Sequence, residues 1–152
     1  MHPVSALQGD GLEALLEDLA GRLGEGPQFF PEDMYTDVTI RFLVSEIIRE
    51  KLMLKLRGEV PYGTAVTVET WEDPPENDPD PVIRIGAVVH VEKSSQKGIV
   101  IGKRGAGLRA IGEASRKEIE ELVGNQVYLD LFVRVEKNWS RDTRALRRLG
   151  YR

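Results

Sequence analysis

Two glycines separated by Lys103 and Arg104 constrain this 152-residue chain more than any other feature of its sequence. The tetrapeptide Gly102 to Gly105 follows the apolar run 99–101 and precedes a segment with apolar residues at helical spacing. Glycines allow a tight turn between two helices and let another backbone approach closely. A Gly-x-x-Gly turn alone is weak evidence of function, because chance and helix capping produce many. A turn alone does not explain two cations inside it, however, and this pair favours a phosphate-binding loop.

The hydrophobic pattern around this loop predicts one α+β domain over residues 37–152. Residues 37–57 and 106–123 repeat apolar side chains every three or four positions, which predicts two amphipathic helices. Strict alternation predicts three strands, at 66–71, 83–91 and 127–135. The predicted order is helix, strand, strand, short helix, Gly-x-x-Gly, helix and strand, followed by a short basic helix at 138–151.

These periods predict which side chains face the core and which are exposed. In the helix 37–57, Leu54 continues the apolar stripe that faces the core. In the second strand, alternation places Ile83, Ile85, Ala87, Val89 and Val91 toward the core. His90 then points to the exposed face, and it is too isolated from His2 to suggest a metal site or a general base.

A separate amphipathic helix is predicted at 11–23, before the domain. Its leucines, at positions 12, 15, 16, 19 and 23, line one face. A lone helix of this length is marginal in water, so this face needs a partner. The residues that follow, 27–36, are predicted to form a linker.

The net charge of -4 conceals an asymmetry between two parts of the chain. Residues 1–92 carry 7 basic and 18 acidic side chains, whereas residues 93–152 carry 14 basic and 7 acidic ones. The second part therefore has the sign expected of a nucleic-acid binder. The alternative is a solvated face, in which the acids at 113, 118, 120 and 121 balance the cations, but it does not explain the arginines at 141, 144, 147 and 148.

Composition excludes several classes of function. The chain has no cysteine, so disulfides, thiol nucleophiles and thiolate metal sites are excluded. No apolar run approaches the roughly 20 residues that span a bilayer, and the first residues do not resemble a signal peptide. A cytoplasmic location is therefore expected, with no metal site.

Several segments resemble the KH domain that closes the Era family of ribosome-assembly GTPases. They are residues 36–37, 44–52, 59–62, 95–105, 127–131, 138–139 and 149–151. The resemblance implies a type II KH domain, with the order α-β-β-α-α-β and a C-terminal helix. Arg104 departs from the pattern, since glycine is expected there in many relatives.

The resemblance extends to the residues before the KH domain. Ser5, Ala6 and Leu7 resemble the last guanine-recognition motif of the GTPase, and residues 12–23 resemble its final helix. Residues 1–26 are thus expected to be a remnant of a GTPase domain, 27–36 a linker and 37–152 the KH domain. The sequence has no Gly-x-x-x-x-Gly-Lys-Ser/Thr phosphate loop and no Asn-Lys-x-Asp motif. We therefore expect no GTP hydrolysis and no cofactor in this chain; GTP and Mg are expected for the full-length family only.

The function implied by the resemblance is binding of single-stranded RNA, at the 3′ end of small-subunit rRNA in ribosome assembly. Such a loop clamps about four nucleotides, with the bases in an adjacent apolar groove. The candidate RNA-binding residues are Lys97, Ile99, Ile101, Gly102, Lys103, Arg104, Gly105, Arg109, Arg141 and Arg144, with Ile99 and Ile101 in the groove wall. The implied partners are the small ribosomal subunit and a GTPase domain in cis. The resemblance also implies peripheral contact with the inner face of the cell membrane. The alternative is a protein-contact module that docks on a GTPase domain or on the ribosome.

Overall fold

A computed structural model describes residues 2–27, 31, 36–56, 58, 60 and 63–150. Its helices are α1 (Leu12–Arg22), α2 (Ile40–Lys55), α3 (Ser94–Ile101), α4 (Ala106–Val123) and α5 (Thr143–Arg148), and its strands are β1 (Thr64–Glu72), β2 (Val82–Val91) and β3 (Gln126–Val135). The chain divides into two compact units, Met1–Asp37 and Val38–Arg152. Most of the predicted linker, like Tyr151 at the end of the predicted basic helix, lies outside the described residues. Among the described helices, none is both long and apolar enough to cross a membrane.

The second unit is built on a three-stranded sheet in the order β1-β2-β3. β1 and β2 are antiparallel, with Val66 opposite Val89, whereas β2 and β3 are parallel, with Ile83 opposite Val127. A parallel pair needs a crossover connection, and here α3 and α4 supply it. The predicted order α-β-β-α-α-β, with a helix after it, is confirmed.

One face of the sheet packs on helices and forms the main core. The alternation predicted for β2 is confirmed, because Ile83, Ile85, Ala87, Val89 and Val91 are all buried there. α2 contributes Val44, Ile48 and Leu52, which are spaced four apart along one helical face. The prediction for Leu54 is wrong: that side chain is 74% exposed, because it lies two positions past Leu52 and so on another side of the helix.

The opposite face of the sheet, the outer face, is partly covered by residues 138–150, which we call the tail. Trp139, Ala145 and Leu149 are buried together with Ala65 of β1. The Trp139 indole N–H also donates to the Gly63 carbonyl over 3.3 Å.

The expectation of an exposed His90 is wrong, since only 3% of this residue is exposed. Its Nε2 lies 2.9 Å from the Thr67 hydroxyl, and its Nδ1 lies 3.1 Å from a carboxylate oxygen of Glu136. Glu136 in turn accepts a hydrogen bond from Arg148 of the tail. Strand alternation correctly places His90 on the outer face, but it carries no information on the distant segment that covers this face.

The first unit contains α1, preceded by a turn in which the Ser5 N–H donates to the Asp10 carbonyl over 3.0 Å. Gly11 precedes the helix with a φ of 72°, and a Cβ there would lie 2.3 Å from the Pro3 carbonyl oxygen. No residue of α1 is buried, and Leu16 and Leu23 are largely exposed. The amphipathic helix is thus found where it is predicted, with Leu12 and Leu15 of its leucine face half-buried and Leu16, Leu19 and Leu23 exposed.

Candidate nucleic-acid interface

The loop between α3 and α4 depends on glycine at two close approaches. Gly102 has φ 70° and ψ 179°, a conformation essentially restricted to glycine. A Cβ there would lie 2.9 Å from the Gly107 amide nitrogen, and a Cβ on Gly107 would lie 2.7 Å from the Val100 carbonyl oxygen. These contacts let the start of α4 pack against the end of α3. Sequence reasoning did not predict this packing role of Gly107, although a third glycine two residues after the tetrapeptide was available as a signal.

The two residues at the end of the loop have a left-handed backbone. Gly105 has a φ of 78°, and a Cβ added to it would have no atom within 4 Å. Its backbone conformation, and not the space around it, therefore favours glycine. Arg104 has φ 52° and ψ 32°, which costs a non-glycine residue about 1 kcal/mol. The strained turn leaves Lys103 and Arg104 exposed. Neither forms an ion pair with any residue that the structure describes.

The first turn of α4 adds a further attraction for anions. Gly105 caps this helix and has no side chain to accept a hydrogen bond from the N–H groups of the first turn. These N–H groups form the positive end of the helix dipole, beside the two cations of the loop. The loop can therefore hold phosphate oxygens through backbone and side-chain donors together.

An open groove of about 490 Å³ runs from this loop between α4 and β3. Its apolar wall contains Leu108 of α4 with Leu129 and Leu131 of β3. Arg109 and Tyr128 also line it. The remaining lining residues are Gly105, Gly112, Glu113, Arg116 and Val127.

The free edge of β3 faces this groove. The Glu136 N–H bonds to Val91 of β2, whereas the Val127 N–H points the other way and bonds to Glu120 of α4. Backbone groups alternate in direction along a strand, so Leu129 and Leu131 turn their N–H and C=O groups away from β2. An unpaired strand edge of this kind offers both donors and acceptors to a ligand.

The structure separates the predicted RNA-binding residues into two places. Gly102, Lys103, Arg104 and Gly105 form the loop, Arg109 follows it in the groove, and Lys97 is half-buried on α3. Arg141 and Arg144 are exposed in the tail, which packs on the outer face of the sheet. The structure therefore does not bring them together with the loop.

The assignment of Ile99 and Ile101 to the groove wall needs correction. Ile99 is 53% exposed on α3, and Ile101 packs against the main core. Neither lines the groove. The wall is formed instead by Leu108 of α4 and the β3 leucines.

Ser5, Ala6 and Leu7, the resembled nucleotide motif, form a turn in the first unit. Gln8 donates its backbone N–H to the Ser5 hydroxyl over 3.3 Å, and Leu7 is 97% exposed. Within the described part of the chain, no group of three His, Cys, Asp or Glu residues could hold a metal ion.

Some acids of α4 are balanced by cations, as the solvated-face interpretation expects. The Lys51 ammonium contacts both Glu118 and Glu50, and these hydrogen bonds raise the pKa of Lys51 above its ordinary value. Arg116 pairs with Glu120 over 3.5 Å. The cations of the loop are not balanced in this way by described residues, and this distinguishes them from Lys51 and Arg116.

The family model of the KH domain matches residues 59–140 of this sequence, which is more than half of the chain. The chain belongs to the KH domain family. It is 48% identical to GTPase Era of Syntrophus aciditrophicus and 50% identical to GTPase Era of Geotalea uraniireducens, over 149 residues in each case. These matches cover 98% of the chain but 48% and 49% of the relatives, so this KH protein spans about half the length of the curated relatives it matches.

Solved structures of Era have the same fold. Aquifex aeolicus Era bound to GDP and AlF4⁻ is 40% identical, with a TM-score of 0.90. Era in complex with MgGDPNP and nucleotides 1506–1542 of 16S ribosomal RNA is also 40% identical, with a TM-score of 0.91. Each match covers 98% of this chain and 49% of the solved one. The predicted resemblance to the C-terminal part of Era is confirmed.

Proposed function

We propose that this KH domain binds single-stranded RNA, at the 3′ end of small-subunit rRNA, as part of ribosome assembly. The observation that carries this proposal is a glycine loop with two cations that form no ion pair with any described residue, opening directly into an apolar groove beside a free strand edge. A relative of 40% identity, solved with nucleotides 1506–1542 of 16S ribosomal RNA, supports the choice of RNA.

In the proposed binding mode, the sugar-phosphate backbone lies along the loop. Lys103, Arg104 and the first turn of α4 hold phosphates, and Gly102 and Gly105 allow the close approach. The bases enter the groove, where the leucines contact their faces and the edge of β3 meets their polar atoms. Arg109 offers a further cation along the same path.

Arg141 and Arg144 have a different role in this proposal. Because they lie in the tail, only an RNA that extends beyond the groove reaches them. Their removal should weaken binding of a long RNA and leave a fragment that fills only the groove unaffected. Lys97 and Ile99 remain predicted contacts beside the loop.

We further propose that residues 1–26 are the end of a GTPase domain and that this chain does not hydrolyse GTP. Its sequence lacks the phosphate loop and the base-recognition motif, and GTP and Mg are assigned to the full-length family alone. Mixing the purified chain with GTP and Mg²⁺ and measuring released phosphate tests this, and turnover would contradict it. A cytoplasmic location, with peripheral contact at the inner face of the membrane, remains a prediction that cell fractionation would check.

The decisive experiment is a fluorescence-anisotropy titration of a short RNA carrying the 3′ end of 16S rRNA, with a scrambled RNA beside it, at two salt concentrations. We expect tighter binding to the true sequence. Affinity should fall with salt, by about 0.7 in log K per unit log salt for each phosphate contact. Equal or absent binding of the two RNAs would contradict the proposal.

A double charge reversal locates the contact. Lys103→Asp with Arg104→Asp should abolish measurable binding, because repulsion replaces two phosphate contacts. The matched control is Lys55→Asp with Lys117→Asp, which changes the net charge equally at two exposed lysines outside the groove. Equal loss in both variants would assign binding to net charge and not to the loop, and circular dichroism verifies that each variant is folded.

The exposed leucine face of α1 favours a second function, contact with a protein. Leu16, Leu19 and Leu23 are all at least half exposed, and such a stripe ordinarily packs on another element. In this alternative the chain docks on a GTPase domain or on the ribosome. Tight binding to an added GTPase domain, together with no RNA binding at low salt, would support it over RNA binding.

A further inference from the structure

On α4 the lining of the groove ends at Arg116, and Glu120 lies one helical turn beyond it, away from the glycine loop. A carboxylate oxygen of Glu120 accepts the Val127 N–H over 3.0 Å, although this N–H belongs to the free edge of β3. Arg116 holds the same carboxylate from the groove side, over 3.5 Å. Glu120 thus occupies the first backbone donor that a base would meet at this end.

Within the groove lining, Leu129 and Leu131 are the residues of β3 whose N–H and C=O groups remain open at this edge. The donors and acceptors of Leu129 and Leu131 lie about 7 Å apart along the strand. Before Val127 the chain turns at Gly124, where Glu120 and Glu121 add negative charge and Lys117 adds a positive one. The two ends of the groove therefore differ. At the loop lie two cations that no described residue pairs with, whereas at the far end the Glu120 carboxylate is bonded to the Val127 N–H of the strand edge.

We infer that Glu120 is a specificity-determining residue, which sets how many bases the groove accepts by occupying the Val127 N–H and directing the RNA out of the groove there. This inference rests on the proposed function, because it concerns the length of the RNA in the same groove. A ligand that runs past Leu129 must displace the carboxylate, which costs a charge-assisted hydrogen bond and brings a phosphate close to a negative side chain.

The test uses single-stranded oligoribonucleotides from the 3′ end of 16S rRNA, each one nucleotide longer than the last. With the unchanged chain, affinity should stop rising once the groove is filled. With Glu120→Ala, the rise should continue for one more nucleotide. We expect a gain of about two- to tenfold for that RNA, which is the contribution of one hydrogen bond.

Two variants separate the hydrogen bond from the charge. Glu120→Gln retains an oxygen that can accept the Val127 N–H, so its length limit should remain where it is. Glu121→Ala removes the same charge from an exposed neighbour without opening the edge, and it too should retain the limit. An extension in all three variants would show that charge alone sets the limit and would overturn the assignment to the edge hydrogen bond.

Amide chemical shifts provide a readout that does not depend on affinity. RNA should shift the amides of Leu129 and Leu131 in the unchanged chain and leave Val127 unshifted, whereas in Glu120→Ala a longer RNA should shift Val127 as well. A Val127 shift in the unchanged chain, or no extension in Glu120→Ala, would overturn this inference and leave RNA binding intact. If the unchanged chain binds no RNA, the proposed function itself fails.

Discussion

The two faces of the sheet are covered in different ways. The face toward α2 and α4 presents only aliphatic side chains at its centre, from Ile83 to Val91 in β2, and it forms one large core. The outer face is covered by the tail through a small apolar cluster and a polar chain from Thr67 through His90 and Glu136 to Arg148. The difference indicates that the helix face carries the stability of the domain, whereas the outer face only anchors the tail.

The largest effect is expected on the helix face. Leu52→Ala should lower the free energy of unfolding by about 2–5 kcal/mol, because it leaves a cavity in a fully buried site. The matched control is Leu54→Ala on the same helix, which should change stability by less than about 0.5 kcal/mol because that leucine is exposed. Urea unfolding measures both. Equal losses would contradict the distinction between them.

A smaller and more local effect is expected in the tail. Leu149→Ala should lower the free energy of unfolding by about 2 kcal/mol, the low end for a buried leucine, because the cluster around it is small. Hydrogen exchange should accelerate in residues 138–150 while the amides of β2 stay protected. Arg147→Ala, at an exposed neighbouring position, serves as the control. Loss of protection throughout β2 would show that the two faces are not independent.

The outer face should also make stability depend on pH. Burial lowers the pKa of His90 below its ordinary 6.5, and the cations of Arg134 and Arg148 lower it as well. The nearby carboxylates of Glu69 and Glu136 oppose this, but the burial of the ring outweighs them. The unfolded chain therefore binds this proton more readily, so stability should be complete above pH 6.5 and fall as the pH decreases toward the lowered pKa. Each unit of difference between the folded and unfolded pKa changes the free energy of unfolding by about 1.4 kcal/mol.

Unfolding measured at pH 7.5, 6.5 and 5.5 checks this prediction. His90→Gln should remove the dependence in this interval, since it removes the titrating imidazole. A slope that persists in His90→Gln would assign the dependence to another group.

The smallest effect is a gain in stability from a substitution on the helix face. Ser115 is fully buried in α4, and its hydroxyl has no hydrogen-bond partner within the described part of the chain. Ser115→Ala should raise stability by about 1 kcal/mol, because it removes an unsatisfied polar group and adds helix propensity. For comparison, Ser140→Ala beside the outer face removes an exposed hydrogen bond of 2.6 Å to Glu92 and should cost less than about 1 kcal/mol. A loss of stability in Ser115→Ala, measured by thermal unfolding, would indicate a partner for that hydroxyl.

Helical and strand periods, together with the glycine spacing, were sufficient to predict the order of elements, the inward residues of β2 and the position of the loop. They were not sufficient for Leu54, because helical spacing alone does not show which of the apolar residues in a helix contact the rest of the core. The groove wall was misplaced for a similar reason: the isoleucines before the loop are apolar, but the packing of α3 and α4 on the sheet decides which apolar side chains line the groove.

By itself, the sequence determined the features that depend on local spacing: α2 and α4 as amphipathic helices, the alternation of the strands, and a loop with two cations between glycines. The tertiary structure alone decided the features that join distant residues, namely the burial of His90 beneath the tail, the close approach of Gly107 to Gly102, and the bond from Val127 to Glu120. The physical reason is that periodicity records which face of an element is apolar, whereas the partner of each face is set by packing between segments far apart in the chain.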